Sequence, residues 1–317
     1  MNIKWRHRIF ITGANGQLGR ALQLDLADGG VAGSWSEGGR NNLLTLYSQH
    51  ERRFRQNIIR ALDITDAEAV MNAVGRDEPD IVINCAAWTD TVGCERDPAR
   101  ATAVNAGGAA NVARAAAELG AALVHISTNE VFDGTKDAPY DEDDGPNPIN
   151  EYGRSKLAGE EAVRAVTGNH YIVRTSWVYG PGRVSFPEKI IERALADGRI
   201  RGVTDEIASP TWTNDLAAAI ARLIETEECG TYHLTGASSC SRLEWAQEVL
   251  RLAGIDVPAE SATQADFDLP VRKPLDSRLA NNRAAALGIT LRPWREALRE
   301  HMETKQVTDM LAAEARR

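Results

Sequence analysis

The chain has 317 residues and a formal charge of −9, from 36 Lys and Arg against 45 Asp and Glu, with 43% apolar and 26% charged residues. That is the length of about two domains, or of one large α/β unit with an elaboration, and the composition excludes wholesale disorder and argues against a broad nucleic-acid surface. Cys85, Cys94, Cys229 and Cys240 show no CxxC and no paired spacing, which indicates neither a disulfide framework nor a zinc cluster. No apolar run approaches the roughly 20 residues of a membrane span, so the expectation is a cytoplasmic protein with no membrane and no nucleic-acid partner.

Residues 8–12 are a short β-prone run that leads directly into glycines, and 17–28 place Leu18, Ala21, Leu22 and Leu26 on one helical face. Residues 29–42 hold five glycines and little periodicity, which reads as a loop before a strand at 43–47. A helix at 66–75 is followed by a strand at 80–85, apolar nearly throughout, as parallel strands covered on both faces tend to be. A long Ala-rich helix at 97–119, a strand at 121–127, a helix at 153–167 and a strand at 171–180 continue the alternation. This order predicts a doubly wound parallel α/β sheet of Rossmann type. Beyond 180 the pattern loosens into helices at 187–198, 214–226 and 241–253, a strand near 231–235, and Pro-containing segments at 204–213 and 268–279. The expected organisation is a dinucleotide-binding domain over 1–180 with a return segment near 207–235. A smaller substrate-binding domain lies mainly over 181–300, and the helical tail at 301–317 receives no role.

The run Thr12-Gly13-Ala14-Asn15-Gly16-Gln17-Leu18-Gly19 follows a strand and opens a helix, the setting a dinucleotide loop requires. Side chains at Gly13, Gly16 and Gly19 would block the tight turn, the approach of backbone to pyrophosphate, and the contact of helix with strand. The helix N-terminus offers N–H groups and partial positive charge to phosphate. A Gly-rich turn in another α/β protein is the alternative. After the strand at 43–47, no acid stands at the strand end to bind a ribose 2′-OH, and Arg52 and Arg53 follow closely. That favours NADPH, with Arg52 at the 2′-phosphate, over NADH, although Glu51 lies beside them.

Tyr152 and Lys156 stand four apart at the start of a helix and share one face. A free Tyr has a pKa of about 10, and a neighbouring ammonium stabilises the phenolate, so the pair suits acid–base chemistry. The Lys can also reach ribose hydroxyls. Ser127 and Thr128 end the preceding strand, where a hydroxyl can hold a substrate carbonyl; the plainer reading is a hydroxyl tying down its own loop.

At this point the chain resembles the extended short-chain dehydrogenase/reductase family and, within it, the dTDP-4-dehydrorhamnose reductases, from about residue 8 to 300. The segments that carry the resemblance are 11–19, Asp63-Ile64, 84–90, 104–106, 125–134, 152–160, 174–180, 209–217 and 272–277. The resemblance implies that Thr128, Tyr152 and Lys156 are catalytic, with hydride from NADPH and a proton from Tyr152 reducing the 4-keto group of a dTDP-deoxyhexulose. It implies cofactor contacts at Gly13, Asn15, Gly16, Gln17, Leu18, Gly19, Asp63, Ile64, Ala86, Ala87, Trp88, Asn105, Tyr152 and Lys156. Trp177 is expected to pack on the sugar and Arg272 to meet the diphosphate. Where the family usually reads Ser-Thr-Asp-Tyr-Val-Phe, this chain has Asn129 and Glu130, both expected beside the sugar. Ala21 stands where some members carry a metal-linked Glu, so no metal is expected. A homodimer is the base-rate expectation. Two other readings stand beside this one: a reductase or epimerase for another nucleotide sugar, and a non-catalytic NADP-binding regulatory subunit like the β subunit of methionine adenosyltransferase.

Overall fold

The computed structural model describes residues 7–27, 43–54 and 57–314. The expected loop at 29–42, the end of the tail and the side chains of Arg52 and Arg53 lie outside the described residues.

In chain order the first half runs β1 (Arg8–Thr12), α1 (Gln17–Ala27), β2 (Leu43–Ser48), β3 (Arg52–Phe54), β4 (Asn57–Ala61), α2 (Ala67–Asp77), β5 (Ile81–Asn84), α3 (Thr91–Arg96), α4 (Pro98–Thr102), α5 (Ala109–Glu118), β6 (Ala122–Thr128), α6 (Glu151–Val166) and β7 (His170–Thr175). The second half adds β8 (Val178–Tyr179), α7 (Phe186–Asp197), β9 (Ile200–Val203), β10 (Ile207–Ala208), β11 (Thr211–Trp212), α8 (Thr213–Leu223), β12 (Gly230–His233), β13 (Cys240–Ser241) and α9 (Arg242–Ala253). It ends with β14 (Ala259–Ala262), α10 (Asn282–Ala286), α11 (Trp294–Met302) and α12 (Lys305–Glu314).

The central sheet has the order β12-β7-β6-β5-β1-β2-β4-β3. Its first seven strands pair in parallel, and β3 closes the edge antiparallel to β4. The two-residue period of each strand assigns its side chains to opposite layers. Ile9, Ile11, Ile81, Ile83, Val124 and Val173 pack on α1 and α8 through Leu22, Leu216 and Ile220. Phe10, Val82, Leu123 and Ile172 pack on the other face against α2 and α5 through Val70, Val74, Val112 and Ala116. Each fully buried Ile, Leu, Val or Phe contributes about 1.5–3 kcal/mol of transfer free energy, so the two-faced burial holds the sheet and positions the loops at its C-terminal edge.

The sequence reading places no strand between 48 and 66, yet the β3–β4 hairpin lies there, and it moves Arg52 onto the outermost strand. The helix expected at 97–119 is interrupted by a π-helical turn at Ala103–Gly108 between α4 and α5. Residues of α8, β12 and α10, with Ile289 and Leu291, join the core of the central sheet. A separate core gathers Tyr179, Ile191, Trp212, Trp245, Trp294 and Val307, so α12 is packed against the second half of the chain. Among the described residues, no helix is long and apolar enough to cross a membrane, and no group of three or more His, Cys, Asp or Glu side chains is placed to hold a metal ion.

Candidate active site

Gly13 sits at φ +63°, and a Cβ there would lie 2.6 Å from the Ala86 nitrogen. A side chain would therefore clash with backbone in a conformation that L-residues rarely adopt. The resulting bare turn delivers the first turn of α1 to a cavity of about 1190 Å³ along the C-terminal ends of the strands. Single-ligand pockets span roughly 300–1,000 Å³, so this cavity has room for a cofactor and a second molecule.

One part of its wall is the expected nucleotide set: Gly13, Asn15, Gly16, Gln17, Leu18, Gly19, Asp63, Ile64, Ala86, Ala87 and Trp88 all line it, together with Ser48 and Gln49 at the end of β2. The Arg100 guanidinium lies 4.5 Å over the Trp88 ring, and both line the same wall. Asn105 does not line the cavity. It is buried on the π-turn, where Oδ1 accepts from Trp88 N (2.8 Å) and Nδ2 donates to Trp88 O (3.0 Å) and Ser155 Oγ (3.0 Å). It therefore fixes the Trp88 loop to α6.

The other part is the expected reaction set. Thr128, Asn129, Glu130, Tyr152 and Trp177 all line the cavity. Asn150 caps α6 by accepting from Gly153 N at 2.8 Å, which places Tyr152 in the first helical turn. The Thr128 hydroxyl accepts from Glu130 N at 3.2 Å and lies within hydrogen-bonding reach of the Tyr152 phenol. Burial and the Glu130 carboxylate push that phenol upward, against the pull of Thr128. The sequence reading expects Lys156 to bring the phenol down, but the structure turns the amine elsewhere. Lys156 is fully buried behind the wall, and Nζ donates to Ile126 O at 2.6 Å. Burial brings this amine down to about 8, against the opposing Glu160 carboxylate.

Ser127 is also committed: its hydroxyl donates to Glu160 Oε1 at 2.5 Å. Glu160 receives Arg174 through Nε at 2.9 Å and Nη2 at 2.8 Å, and Arg164 at 2.7 Å. Burial alone would raise the Glu160 carboxyl, but Arg174 and Ser127 hold it below the usual glutamate range. This buried cluster locks β6, α6 and β7 together, and with them Thr128 and Tyr152.

Asn129 donates to Ser277 Oγ at 2.6 Å. Glu130 pairs with Lys273 at 2.9 Å and accepts from Asn150 Nδ2 at 2.8 Å. Arg272, expected at a diphosphate, is exposed and does not line the cavity; the neighbouring Lys273 does. Trp177 adopts φ +43° and stacks on Trp245 with ring centroids 5.6 Å apart. The Arg242 guanidinium sits 3.6 Å over the Trp177 ring and is held by Glu206 at 2.9 Å. Phe186, Lys189, Arg242, Trp245 and Lys273 also line the wall, and the sequence reading gave none of them a role. They stand on α7, on α9 and in the 272–277 segment, which share no motif and meet only in the folded chain. Asn150 was within reach of a sequence argument, as an Asn directly before a helix.

Fold and cavity together define the class: a dinucleotide-dependent oxidoreductase of Rossmann architecture. The chain belongs to the RmlD substrate binding domain family, whose match runs over residues 7–307. It is 39% identical over 298 residues to a dTDP-4-dehydrorhamnose reductase of Mycolicibacterium smegmatis, covering 92% of this chain and 84% of that one. It is 35% identical over 298 residues to the spore coat polysaccharide biosynthesis protein SpsK of Bacillus subtilis, covering 94% of this chain and 98% of the relative. Among solved structures, the dTDP-4-dehydrorhamnose reductase of Bacillus anthracis in complex with NADP superposes with a TM-score of 0.83 at 35% identity, covering 94% of this chain and 100% of that one.

Proposed function

We propose that this protein reduces the 4-keto group of a dTDP-4-dehydro-6-deoxyhexose at the expense of NADPH, giving dTDP-L-rhamnose or a related deoxysugar. The observation that carries the reading is the Tyr152 phenol on the cavity wall beside the Thr128 hydroxyl. The glycine cradle at Gly13, which a Cβ would fill, fits a dinucleotide, and the NADP found with the Bacillus anthracis relative favours the phosphorylated form. Gly13, Gly16, Gly19, Asp63, Ile64 and the 86–88 loop would hold the cofactor, which when bound would supply the hydride for the carbonyl carbon.

Thr128 holds the carbonyl oxygen by a hydrogen bond and so favours negative charge there. Tyr152 donates its proton to that oxygen as the charge develops. Its raised affinity for the proton keeps it in the donor form through neutral pH. Trp177 and Glu130 bound the sugar, which is seated against the unit formed mainly by residues 181–300. Lys156, close behind the wall, would orient the cofactor ribose.

The test is the loss of NADPH absorbance on adding dTDP-4-dehydro-L-rhamnose to the purified protein, repeated with Tyr152→Phe. Rapid oxidation that falls at least ~100-fold in the variant, the scale of a lost general acid, supports the reading. Oxidation at equal rates in both proteins removes Tyr152 from its role, and no oxidation despite NADPH binding removes this sugar.

A further inference from the structure

A buried polar chain runs behind the cavity wall, and only its last member, Lys156, has a part in the proposed reaction. It begins at Thr12, the last residue of β1, whose hydroxyl accepts from Ala86 N at 3.3 Å and donates to Asn84 Oδ1 at 2.6 Å. Asn84 ends β5, and its Nδ2 faces His125 Nδ1 at 3.1 Å. His125, on β6, turns its other nitrogen, Nε2, to Lys156 Nζ at 3.5 Å. Thr12, Asn84, His125 and Lys156 are each no more than 2% exposed. A Cβ at Gly159 would lie 3.4 Å from His125 Nε2 and 2.4 Å from Asn105 O, so the helix backbone closes the space beside the ring.

The polarity of this chain has a chemical consequence. Thr12 donates to the Asn84 carbonyl oxygen, so Asn84 presents N–H to His125. Nδ1 of His125 must then accept, and the single proton of a neutral imidazole sits on Nε2. That N–H is aimed at Lys156, where it matches a neutral amine, which accepts, and opposes an ammonium, which only donates.

We propose that Thr12, Asn84 and His125 form a tautomer lock that positions an Nε2–H against Lys156 and so sets the charge state of that amine. His125 is a positioning residue that acts through Lys156. Other charged and titratable groups bear on the pair. Glu160 from α6 and Cys85 after β5 act on Lys156, and both favour its ammonium. Arg164 from α6 and His170 from β7 act on His125, after burial and Lys156 itself, and all keep the ring neutral. The lock therefore works against Glu160 and with burial, in keeping with an amine brought down to about 8. The inference deepens the proposed reaction only through the role given there to Lys156.

The experiment uses the full chain and neither substrate nor cofactor, so its failure is separate from failure of the proposed reaction. Nitrogen-15 NMR of histidine-labelled protein reads the tautomer, and carbon-13 NMR at lysine Cε, assigned with Lys156→Arg, reads the titration of Lys156. The expected result is a neutral His125 protonated at Nε2. In His125→Phe the Lys156 midpoint should move up by about one pH unit, the scale on which a neighbouring dipole acts on a buried amine. Asn84→Asp gives the same direction of shift by a different route, since a carboxylate accepts from Nδ1–H and frees Nε2 to accept from the ammonium. A wild-type His125 protonated at Nδ1 overturns the proposal. So does a Lys156 midpoint that stays fixed in whichever of the two variants folds.

Discussion

The Glu130 carboxylate meets the Lys273 ammonium at 2.9 Å, across 143 residues of sequence, and both side chains face the cavity. The pair ties the turn after β6 to the late segment, and it stands near the Tyr152 phenol. The carboxylate raises the phenol, so its removal should let the phenol fall. With Glu130→Gln, the alkaline limb of NADPH oxidation should move to lower pH, since the acid form of Tyr152 is lost sooner. With Lys273→Met, the carboxylate loses its counter-charge and the limb should move upward. Each displacement is expected to be about one pH unit, or roughly tenfold in rate at a fixed alkaline pH. Profiles of kcat that coincide for all three proteins would separate Glu130 from the phenol.

The buried Glu160 carboxylate with its Arg174 partner should matter more to stability than to binding. Arg174 is 2% exposed and Glu160 fully buried. Without Arg174 the buried carboxylate keeps only the partly exposed Arg164 as counter-charge, which should cost a large part of the about 3–5 kcal/mol of a broken buried pair. Arg174→Met should therefore lower the urea midpoint strongly. The double replacement Glu160→Gln with Arg174→Met should recover part of the loss, because no charge is then stranded. Equal losses in the single and double variants would mean that packing, not charge, is what Arg174 supplies.

These two clusters show which parts were legible in the sequence. The apolar strands at 8–12, 80–85 and 121–127 read directly, because strands buried on both faces are apolar on both. The glycine loop read because a Cβ at Gly13 has no room. Tyr152 read as a spacing with Lys156, but the direction of the lysine amine did not, since Ile126 O and His125 reach it from another strand. Arg272 and Lys273 point to different surroundings although adjacent, which composition cannot resolve in an extended segment. The β3–β4 hairpin is only a few residues on each side and carries no apolar alternation long enough to announce it. Arg242, Trp245 and Phe186 converge only once α7 and α9 have packed.

The tail, to which the sequence gives no role, holds the loop between β8 and α7. Gly182 N donates to Gln306 Oε1 at 2.8 Å, and Gln306 Nε2 donates to Glu188 Oε1 at 2.6 Å. From the opposite side, Gln17 of the glycine loop donates to Gly180 O. Gly182 and Arg183 of this loop line the cavity. Gln306→Ala removes bonds worth about 1 kcal/mol each. It should speed amide exchange at 180–185 and raise the KM for NADPH a few-fold while leaving kcat nearly unchanged. A change in kcat with unaltered exchange would place the role of Gln306 elsewhere.

Glu188 links that clamp to pH. It is 1% exposed. Burial pushes its carboxyl up, but the hydrogen bonds from His301 and Ser185 outweigh this and bring it down to about 2 from the ordinary 4.5. A depressed carboxyl stabilises the folded state above the unfolded value and loses that contribution as pH falls through the folded one. The window is therefore about pH 4.5 down to about 2. At about 1.4 kcal/mol per pH unit, the contribution at neutral pH is of order 3 kcal/mol. Glu188→Gln should be less stable than the wild type at pH 7, and the gap should narrow as the pH is lowered through that window. Urea midpoints of the two proteins between pH 7 and pH 3 test this, and a gap that stays constant over the range would assign the loss to geometry at the start of α7 instead of to the charge.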